Sequence, residues 1–360
     1  MKRKVQVWAY RLVIGGGVEY LLLRRPRARG NGWQPVTGGV KEGERLEAAA
    51  RRELAEETGI GSRGSRATVG GRRRMSGEAY PLGLSYGFSY RGREVEETVF
   101  AQCVPEDSPV DLSDEHVHAH WFDRQQVLAR LEWDGHASAL GLLDDALSSL
   151  AAGIEPSLAA PSGPAAALLD GGGRLVAWAT LASDLAVSGW LPEGVSVVGV
   201  DAPQSLPFGM GRCCLEAEPR CACSEEVPPW GRAADRGLME LGVMRTVDRR
   251  GRRLRREWIL RSLELADLLR LRRLRAVEVC AAAARRELLE RPRGRAAIRG
   301  RLELQRSLIG LLPGLPAPAR DLLSQAELGA VLAAYTAREH AHGRTRLLGD
   351  PAEGAIVMPA

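Results

Sequence analysis

Long apolar runs, aromatic residues and lysine are all scarce in this chain of 360 residues. No apolar run approaches the roughly 20 residues that a membrane-spanning helix needs, which excludes a bundle of such helices. Aromatic residues make up 5% of the chain. Lysine occurs at three positions, Lys2, Lys4 and Lys41. Nearly all of the basic residues are therefore arginine, so arginine at any one position is weak support for phosphate binding.

Cysteine is also scarce, with six residues in the chain. The basic residues at the N-terminus are followed by an apolar run that Arg11 interrupts, which predicts a strand and not a signal peptide. Without a secretory signal, reduced thiols are the default expectation for the cysteines. We therefore expect a protein of the cytoplasm.

The composition that remains, 45% hydrophobic and 26% charged, is typical of a soluble globular protein. Its length favours two domains. An Ala-, Pro-, Ser- and Gly-rich stretch at 151–164 predicts a linker, with domains at 1–150 and 151–360. The first half is neutral, with 21 basic and 21 acidic residues, so the whole net charge of +5 belongs to the second half.

Alternating apolar patterns in the first half predict strands on both sides of one helix over Glu44–Thr58. We expect further strands at 5–14, 19–23, 82–90, 95–104 and 116–122, and helices at 124–131 and 137–150. In the second half, strands are expected at 165–169, 174–180, 195–200 and 276–280, and helices at 258–271 and 322–342. This alternation predicts a mixed α/β and α+β protein of two domains.

The segment Gly38–Ile60, GGVKEGERLEAAARRELAEETGI, contains the clearest pattern in the chain. On a helix, Glu53, Glu56 and Glu57 lie at i, i+3 and i+4, about 5–6 Å apart on one face. Three like charges repel one another unless a cation lies among them, and dense oxygen ligands suit Mg²⁺. The alternative is a solvated, salt-bridged helix face. The opposite face is small and apolar at Leu46, Ala49, Ala50 and Leu54.

This segment resembles the Nudix box, with Gly38, Glu44, Arg52 and Gly59 as its structural residues. The resemblance implies an N-terminal α/β/α sandwich and hydrolysis of a diphosphate with Mg²⁺ or Mn²⁺ as the cofactor. It implies that Glu53, Glu56 and Glu57 bind the metal and that Glu56 or Glu57 also acts as the base. We expect Arg52 to pair with Glu44 across the junction of loop and helix.

Three flanking segments resemble the dihydroneopterin triphosphate diphosphatase and dATP pyrophosphohydrolase branch of that family: Trp33–Gly38, Glu97–Phe100 and Leu112–His116. This resemblance implies a nucleoside triphosphate or pterin triphosphate as the substrate. It also places Glu115 among the catalytic residues as an additional acidic group near the metal. A carboxylate on the loop surface is an equally weighted alternative for Glu115.

His116, His118 and His120 alternate on an expected strand, where they would share one face of the sheet. Three imidazoles suggest zinc. One strand alone rarely supplies tetrahedral geometry, so we favour a partly exposed face of the sheet.

The second half resembles a family of predicted nucleases with an RNase H-like fold, which implies an RNase H-like α/β domain. The resemblance rests on four short segments in a fixed order: 153–163, 197–203, 277–279 and 333–354. An RNase H-like site holds two metal ions between carboxylates at neighbouring strand ends. The candidates for such a second site are Glu155, Asp201, Glu278 and Asp350, with Glu327 as an alternative to Asp350. Glu155 stands where that family usually has aspartate, which leaves a binding or structural module open.

Two further features of the second half have competing interpretations. Zinc binding is one interpretation of the four cysteines between 213 and 223, but their irregular spacing favours reduced structural thiols. The arginine-rich stretch 249–273 suits nucleic acid. Leucine and isoleucine at helical spacing within that stretch favour an amphipathic helix with a buried apolar face.

Two functions from different classes follow from these patterns. The first is a metal-dependent Nudix pyrophosphohydrolase acting on a nucleotide-like small molecule, joined to an RNase H-like domain. The second is a protein that binds or cleaves nucleic acid with its C-terminal domain, while the Nudix domain senses a nucleotide. Neither function requires a membrane partner.

Overall fold

The computed structural model describes residues 1–61, 77–90, 92–156, 163–215, 231–243, 253–289 and 297–360. The chain divides into two compact units. The N-terminal unit contains the described residues of 1–148 together with 192–194. The C-terminal unit contains the described residues of 149–191 and 195–360.

The described part of the N-terminal unit is built on a seven-stranded sheet. Its strands are β1 (Lys2–Leu12), β2 (Val18–Arg24), β3 (Trp33–Gln34), β4 (Val36–Gly39), β5 (Tyr80–Tyr90), β6 (Arg93–Cys103) and β7 (His118–Phe122). β1 and β6 are parallel, whereas β1 pairs with both β2 and β4 in antiparallel register. The helices of this unit are α1 (Leu46–Thr58), α2 (Arg124–Leu128) and α3 (Asp134–Leu147).

The central strand β1 is buried on both of its faces. Val5, Val7 and Ala9 belong to the apolar core that includes α1. The alternate residues Gln6 and Trp8 are also fully buried. Since successive side chains of a strand point to opposite faces, the sheet is covered on both sides. The site residues of β1 therefore lie in a layered, rigid environment.

The C-terminal unit has a five-stranded sheet in the order β10-β9-β8-β11-β12 within its described residues. The strands are β8 (Leu150–Glu155), β9 (Ala165–Leu169), β10 (Leu175–Thr180), β11 (Val195–Val200) and β12 (Ala276–Glu278). β8, β9 and β10 form an antiparallel meander, and β8, β11 and β12 are parallel. The carboxyl ends of these three parallel strands therefore lie at one edge of the sheet.

Helices and a hairpin complete the described part of this unit. They are α4 (Asp184–Trp190), α5 (Ala233–Glu240), α6 (Arg253–Leu271), α7 (Ala281–Leu288), α8 (Ile298–Ile309), α9 (Gln325–Ala341), β13 (Thr345–Leu348) and β14 (Ile356–Pro359). Most residues of α9 are buried, and many of them belong to the core formed with β9 and β10. No described helix has both the length and the apolar character needed to cross a membrane.

Residues 150–155 form a buried strand at the start of the Ala- and Pro-rich stretch. The small side chains of this strand therefore belong to the core of the C-terminal unit. A Cβ atom at Gly153 would lie 2.0 Å from the carbonyl oxygen of Ala330, so α9 packs directly on this strand. The remaining predicted elements are present, with ends shifted by a few residues.

Candidate active site

The helix α1 places the predicted glutamates and ends where the sequence indicates. Gly59 adopts φ 69°, in the left-handed region that favours glycine, and its N–H group donates to the carbonyl oxygen of Ala55. Ala49, Ala50 and Leu54 are fully buried in the core of the N-terminal unit. The predicted apolar face of α1 is thus confirmed, and the opposite face carries the glutamates.

Arg52 joins the glycine-rich loop to α1. Its guanidinium group donates to both carboxylate oxygens of Glu44, over 2.9 Å and 2.8 Å, and to the carbonyl oxygen of Gly39 over 2.8 Å. These hydrogen bonds, together with one from the Lys41 N–H group, lower the pKa of Glu44 to about 2. The expected pairing of Arg52 with Glu44 is confirmed, and it fixes the loop before the helix begins.

Glu53 lies directly over Gly38. A Cβ atom at position 38 would be 1.8 Å from the carboxyl carbon of Glu53, so only glycine leaves room for this side chain. Arg52 donates to Glu53 over 2.8 Å and to Glu56 over 2.9 Å. Glu56 is exposed and also lies 3.7 Å from the Lys41 ammonium group. Two of the three predicted metal ligands are therefore ion-paired with arginine in this structure.

Glu57 differs from its two neighbours because it is buried, with 7% of its surface exposed. Its Oε2 atom accepts no hydrogen bond. Burial, together with the negative charges of Glu53 and Glu115, raises the pKa of Glu57 to about 8. Nδ1 of His116 lies 3.9 Å from Oε2. A buried carboxylate in this position requires a proton or a cation.

These residues fit a divalent metal ion in their chemistry. Within the described residues, no group of three or more His, Cys, Asp and Glu side chains is already arranged to hold one. The ion pairs of Arg52 with Glu53 and Glu56 account for this on α1. The oxygen of Glu57 that accepts no hydrogen bond is nevertheless the kind of ligand that Mg²⁺ and Mn²⁺ bind. The glutamates remain predicted ligands.

The loop before β7 is held against the end of α1. The N–H groups of Asp111 and Ser113 donate to the carbonyl oxygens of Thr58 and Glu57 over 2.8 Å and 3.2 Å. Glu115 follows on this loop as an exposed residue, and its charge acts on the pKa of Glu57. The structure thus places Glu115 close enough to Glu57 for an electrostatic effect.

The three histidines of this region do not share one face as the sequence predicted. β7 begins at His118, so His116 lies in the preceding turn, where it is buried beside Glu57. His118 and His120 are exposed on β7. Alternation requires a continuous strand, and the turn that packs on α1 interrupts it before His116.

Several functional candidates beside the glutamates were not found from the sequence. Glu97 on β6 is buried and accepts a hydrogen bond of 2.7 Å from the Tyr86 hydroxyl group. Lys4 lies 3.6 Å from the other carboxylate oxygen of Glu97, and the Gln6 amide hydrogen-bonds to Tyr86. This cluster joins three strands, which only the parallel pairing of β1 with β6 brings together.

His136 and Arg25 are two further functional candidates that the sequence did not predict. His136 lies in the first turn of α3 with 7% of its surface exposed, and its Nδ1 atom has no hydrogen-bond partner. Burial, together with the positive charges of Arg25 and Lys4, lowers the pKa of His136 to about 4. The same two cations act on Glu57. No local pattern distinguishes these residues in the sequence.

The candidates in the C-terminal unit lie at the ends of adjacent strands, as the sequence predicted. Glu155 ends β8, and Asp201 directly follows β11. The Asp201 N–H group donates to the carbonyl oxygen of Ile154 over 2.9 Å. Glu278 ends β12, which pairs with β11 in parallel register. Three of the four predicted residues therefore lie along one edge of the sheet.

Both carboxylate oxygens of Glu278 accept hydrogen bonds from an arginine. Arg232, which is 1% exposed, donates to both of its carboxylate oxygens over 2.6 Å. The Gln204 N–H group also donates to Glu278, and Arg232 binds Asp235 as well. A buried guanidinium group is thus bound to both oxygens of Glu278, which the predicted site required as a metal ligand.

Asp350 lies in the turn between β13 and β14 and not at the end of a strand of the five-stranded sheet. It is exposed and accepts a hydrogen bond from the Ala352 N–H group over 2.9 Å. Glu327 caps α9, where one carboxylate oxygen accepts from the Ser324 N–H group, and the other accepts from the Thr180 hydroxyl group over 3.1 Å. Both carboxylates therefore have hydrogen-bond donors within the protein.

Two other predictions for the second half fall partly outside the described residues. Cys213 and Cys214 lie in the described part and are partly buried, whereas Cys221 and Cys223 lie outside that part of the chain. Residues 249–252 of the arginine-rich stretch also lie outside it. The remainder forms α6, whose buried Trp258, Ile259, Leu263 and Leu269 confirm the amphipathic helix.

Comparison with known proteins identifies a NUDIX domain at residues 2–143. An RNA pyrophosphohydrolase of Caulobacter vibrioides is 56% identical over 46 residues, which are 13% of this chain and 27% of the relative. An octanoyltransferase of Myxococcus xanthus is 39% identical over 126 residues, which are 34% of this chain and 32% of the relative. The chain thus spans about a third or less of the length of these curated relatives.

Two similar solved structures each cover about two fifths of the chain. An Ap4A hydrolase of C. elegans is 20% identical over 40% of this chain and 96% of its own, with a TM-score of 0.33. The dihydroneopterin triphosphate pyrophosphohydrolase of E. coli is 23% identical over 38% of this chain and 91% of its own, with a TM-score of 0.31.

The family match confirms the prediction of a Nudix domain in the first half of the chain. The prediction of a Nudix-type pyrophosphohydrolase enzyme is confirmed at the level of this domain.

Proposed function

We propose that the Nudix domain is a metal-dependent pyrophosphohydrolase that cleaves the diphosphate of a nucleoside triphosphate-like or pterin triphosphate-like substrate. The observation that carries this proposal is Glu57, a buried carboxylate with one oxygen that accepts no hydrogen bond. It lies on the same helix face as Glu53 and Glu56, and the cofactor is Mg²⁺ or Mn²⁺. The sequence motif and the buried charge thus indicate the same site.

In this proposal Glu53, Glu56 and Glu57 hold the metal, and Glu56 or Glu57 removes a proton from the attacking water. A divalent cation bound there supplies positive charge to the diphosphate oxygens. Because the pKa of Glu57 is raised to about 8, its carboxyl group holds a proton at neutral pH until a cation binds beside it. Glu115 contributes a further negative charge from the opposite loop.

Arg52 acts as a positioning residue in this mechanism. It links Gly39 and Glu44 of the loop to Glu53 on the helix. The loop backbone therefore keeps a fixed position relative to the carboxylates. Groups that are already in position lower the entropic cost of reaching the reactive geometry.

Hydrolysis assays on a substrate panel test this proposal. The panel contains nucleoside triphosphates, dihydroneopterin triphosphate and dinucleoside polyphosphates, each with Mg²⁺, with Mn²⁺ and with EDTA. We expect metal-dependent turnover that falls by at least about 100-fold in Glu57→Gln and Glu53→Gln. Glu47→Gln is the matched control because Glu47 lies on the same helix, where its carboxylate pairs with the exposed Arg45. Wild-type rates in both test variants would contradict the assignment.

We also propose domains at 1–150 and 151–360, the second with an RNase H-like fold. The division of the chain into compact units between residues 148 and 149 supports the boundary. An antiparallel meander continued by two parallel strands supports the fold. Glu155, Asp201 and Glu278 at the ends of three parallel strands also agree with it.

A second candidate function is binding or cleavage of nucleic acid by the C-terminal domain, with the Nudix domain as a nucleotide sensor. The three aligned strand ends favour it, but Arg232 leaves Glu155 and Asp201 as the remaining ligand candidates. It predicts salt-sensitive binding of single- or double-stranded DNA or RNA by the full chain. Cleavage should be lost in Asp201→Asn, whereas no binding at low salt would exclude this function.

A further inference from the structure

A pocket of about 400 Å³ lies against the strands β3 and β7 of the N-terminal unit. Six described residues line it: Trp33, His118, Ala119, His120, Phe122 and Arg130. Its wall therefore contains two aromatic rings, two imidazoles and a guanidinium group, and none of the six residues is acidic. The volume is within the range of pockets that bind small groups. Such a wall suits a ligand with flat rings and negative charge.

Strand pairing places these side chains on one face of the sheet. Arg24 on β2 is paired with Trp33 on β3 and with His118 on β7, so the three residues form a row across the sheet. His120 and Phe122 follow His118 at alternate positions of β7 and share its face. The pocket is thus built on three paired strands, which hold its wall in a fixed arrangement.

The rings of the wall are in contact with one another. The ring of Phe122 meets that of Trp33 edge to face, with centroids 5.2 Å apart, and its centroid lies 4.6 Å from that of His120. Phe122 is buried, whereas Trp33 is partly exposed and His120 is exposed. Phe122 therefore supports the two outer rings from below. Their flat faces are already in position for a planar group to stack on them.

Two arginines lie against these rings. The guanidinium carbon of Arg130 is 4.3 Å from the ring centroid of Phe122, and that of Arg24 is 5.9 Å from the ring centroid of Trp33. Nε of Arg24 is buried and has no hydrogen-bond partner in the described part of the chain. Guanidinium groups bind phosphate through charge-assisted hydrogen bonds. The pocket thus has a cation beside each of its two aromatic side chains.

We propose that this pocket binds single-stranded nucleic acid. A base stacks on Trp33 and His120, while Arg24 and Arg130 bind the phosphates on either side of it. Proteins bind single strands in this way, with aromatic rings for the bases and cations along the backbone. A duplex does not fit because its bases stack on one another, and an acidic peptide would leave the rings unused. The inference goes beyond the proposed function because such binding needs neither metal nor hydrolysis.

Fluorescence anisotropy on the full-length chain tests this proposal. The probes are labelled decamers of thymidylate and of uridylate without terminal phosphates, titrated in EDTA so that no divalent metal contributes. Trp33→Leu should weaken binding about 5- to 100-fold without changing its salt dependence. Arg130→Ala should weaken binding and reduce the slope of log K against log salt concentration by about 0.7. The matched controls Tyr90→Leu and Arg51→Ala change an exposed ring and an exposed cation outside the pocket and should bind as the wild type does.

His120→Ala separates a loss of binding from a loss of folding. Trp33 contacts the buried Phe122, whereas His120 is exposed, so this second variant should stay folded and still bind the decamers more weakly. Circular dichroism and thermal unfolding establish the folded state of every variant. Glu57→Gln should bind the decamers as the wild type does, so a failure of the proposed hydrolase function leaves this inference standing.

Four outcomes would overturn the proposal. They are no binding of either decamer at low salt, wild-type affinity in folded Trp33→Leu and His120→Ala, equal affinity for a duplex of the same length, and equally strong competition by polyglutamate. The second outcome would assign any binding to another part of the chain. The last two would show that charge alone accounts for binding and that the rings are not used.

Discussion

Arg52 and Glu57 lie close together on α1 but differ in whether their charged groups have hydrogen-bond partners within the protein. Arg52 satisfies its guanidinium group within the protein, through Glu44, Glu53, Glu56 and Gly39. Glu57 is buried, and one of its carboxylate oxygens accepts no hydrogen bond. A proton or a cation bound to that oxygen would therefore stabilise the folded protein. Arg52 therefore stabilises the loop and the helix of the site, and Glu57 offers a carboxylate oxygen that a cation can bind.

Replacing Arg52 by Gln should destabilise the N-terminal unit by about 2 kcal/mol or more, because hydrogen bonds to charged groups are each worth about 1.5–3 kcal/mol. The expected loss is greater than that of a surface ion pair since the pair with Glu44 is bidentate and only partly exposed. Urea unfolding measures the difference. Arg51→Gln on the exposed face of α1 is the control and should change the free energy of unfolding by less than about 0.5 kcal/mol.

His136 should make stability depend on pH in a defined range. The pKa of its imidazole is lowered by burial to about 4 in the folded protein and is near 6.5 when unfolded. The unfolded chain therefore binds more protons between these values, so stability present above pH 6.5 is lost as pH falls toward 4. The loss at that site is at most about 3 kcal/mol.

Unfolding midpoints in urea at several pH values between 4 and 7 check this. His136→Asn should show a smaller decline than the wild type over this range, while His118→Asn should follow the wild type. Parallel curves for the wild type and His136→Asn would contradict the lowered pKa.

At the level of elements, α9 and the parallel strands of the C-terminal unit pack unusually closely. A Cβ atom at Gly199 would lie 2.3 Å from the carbonyl oxygen of Ala333, and Gly153 meets α9 in the same way. Contacts under 3.0 Å to backbone require movement of the helix. The helix can approach the strands this closely because the strands have glycine and the helix has alanine at the contact.

Gly153→Ala should destabilise the C-terminal unit by about 2–4 kcal/mol, because an added methyl group forces α9 away from β8. Gly189→Ala is the control, and its effect on the free energy of unfolding should have the opposite sign. It lies in α4 with open space around it, so alanine should stabilise that helix by about 0.5–1 kcal/mol. Chemical denaturation of both variants checks the pair. An unchanged free energy of unfolding in Gly153→Ala would contradict the close packing.

At the scale of the whole molecule, the stability of the chain should be linked to divalent metal. Metal that binds the folded protein raises its stability by about 2.7 kcal/mol at 100 times the dissociation constant. Thermal unfolding with and without Mg²⁺ or Mn²⁺ should show a higher Tm with metal in the wild type and in Glu47→Gln. The shift should disappear in Glu57→Gln, whose own Tm without metal should exceed that of the wild type above about pH 8, where the buried carboxylate of the wild type is ionised.

The two units also divide the charge of the chain unequally. The first 150 residues are neutral in sum, whereas residues 151–360 carry the excess of +5. Many arginines of the second half have internal partners, such as Arg232 with Glu278 and Arg344 with Glu339. The excess charge is therefore a weaker indication of nucleic-acid binding than the composition alone suggests.

The sequence by itself determined the Nudix box, because the loop, the helix and the terminating glycine all lie between Gly38 and Gly59. Their interactions are local, and spacing alone predicts which side chains share a face. It also determined the amphipathic character of α1 and α6. Tertiary structure decided which of the glutamates is buried, and so which pKa is raised, because burial depends on the loop carrying Glu115.

Tertiary structure also decided the composition of the rest of the site. Lys4, Arg25 and His136 come from distant parts of the chain, and only the pairing of strands and the packing of α3 bring them within electrostatic range of one another. Likewise, Arg232 reaches Glu278 through packing that no spacing rule describes. Long-range contacts depend on the fold of the whole unit, and one sequence contains no local pattern that specifies them.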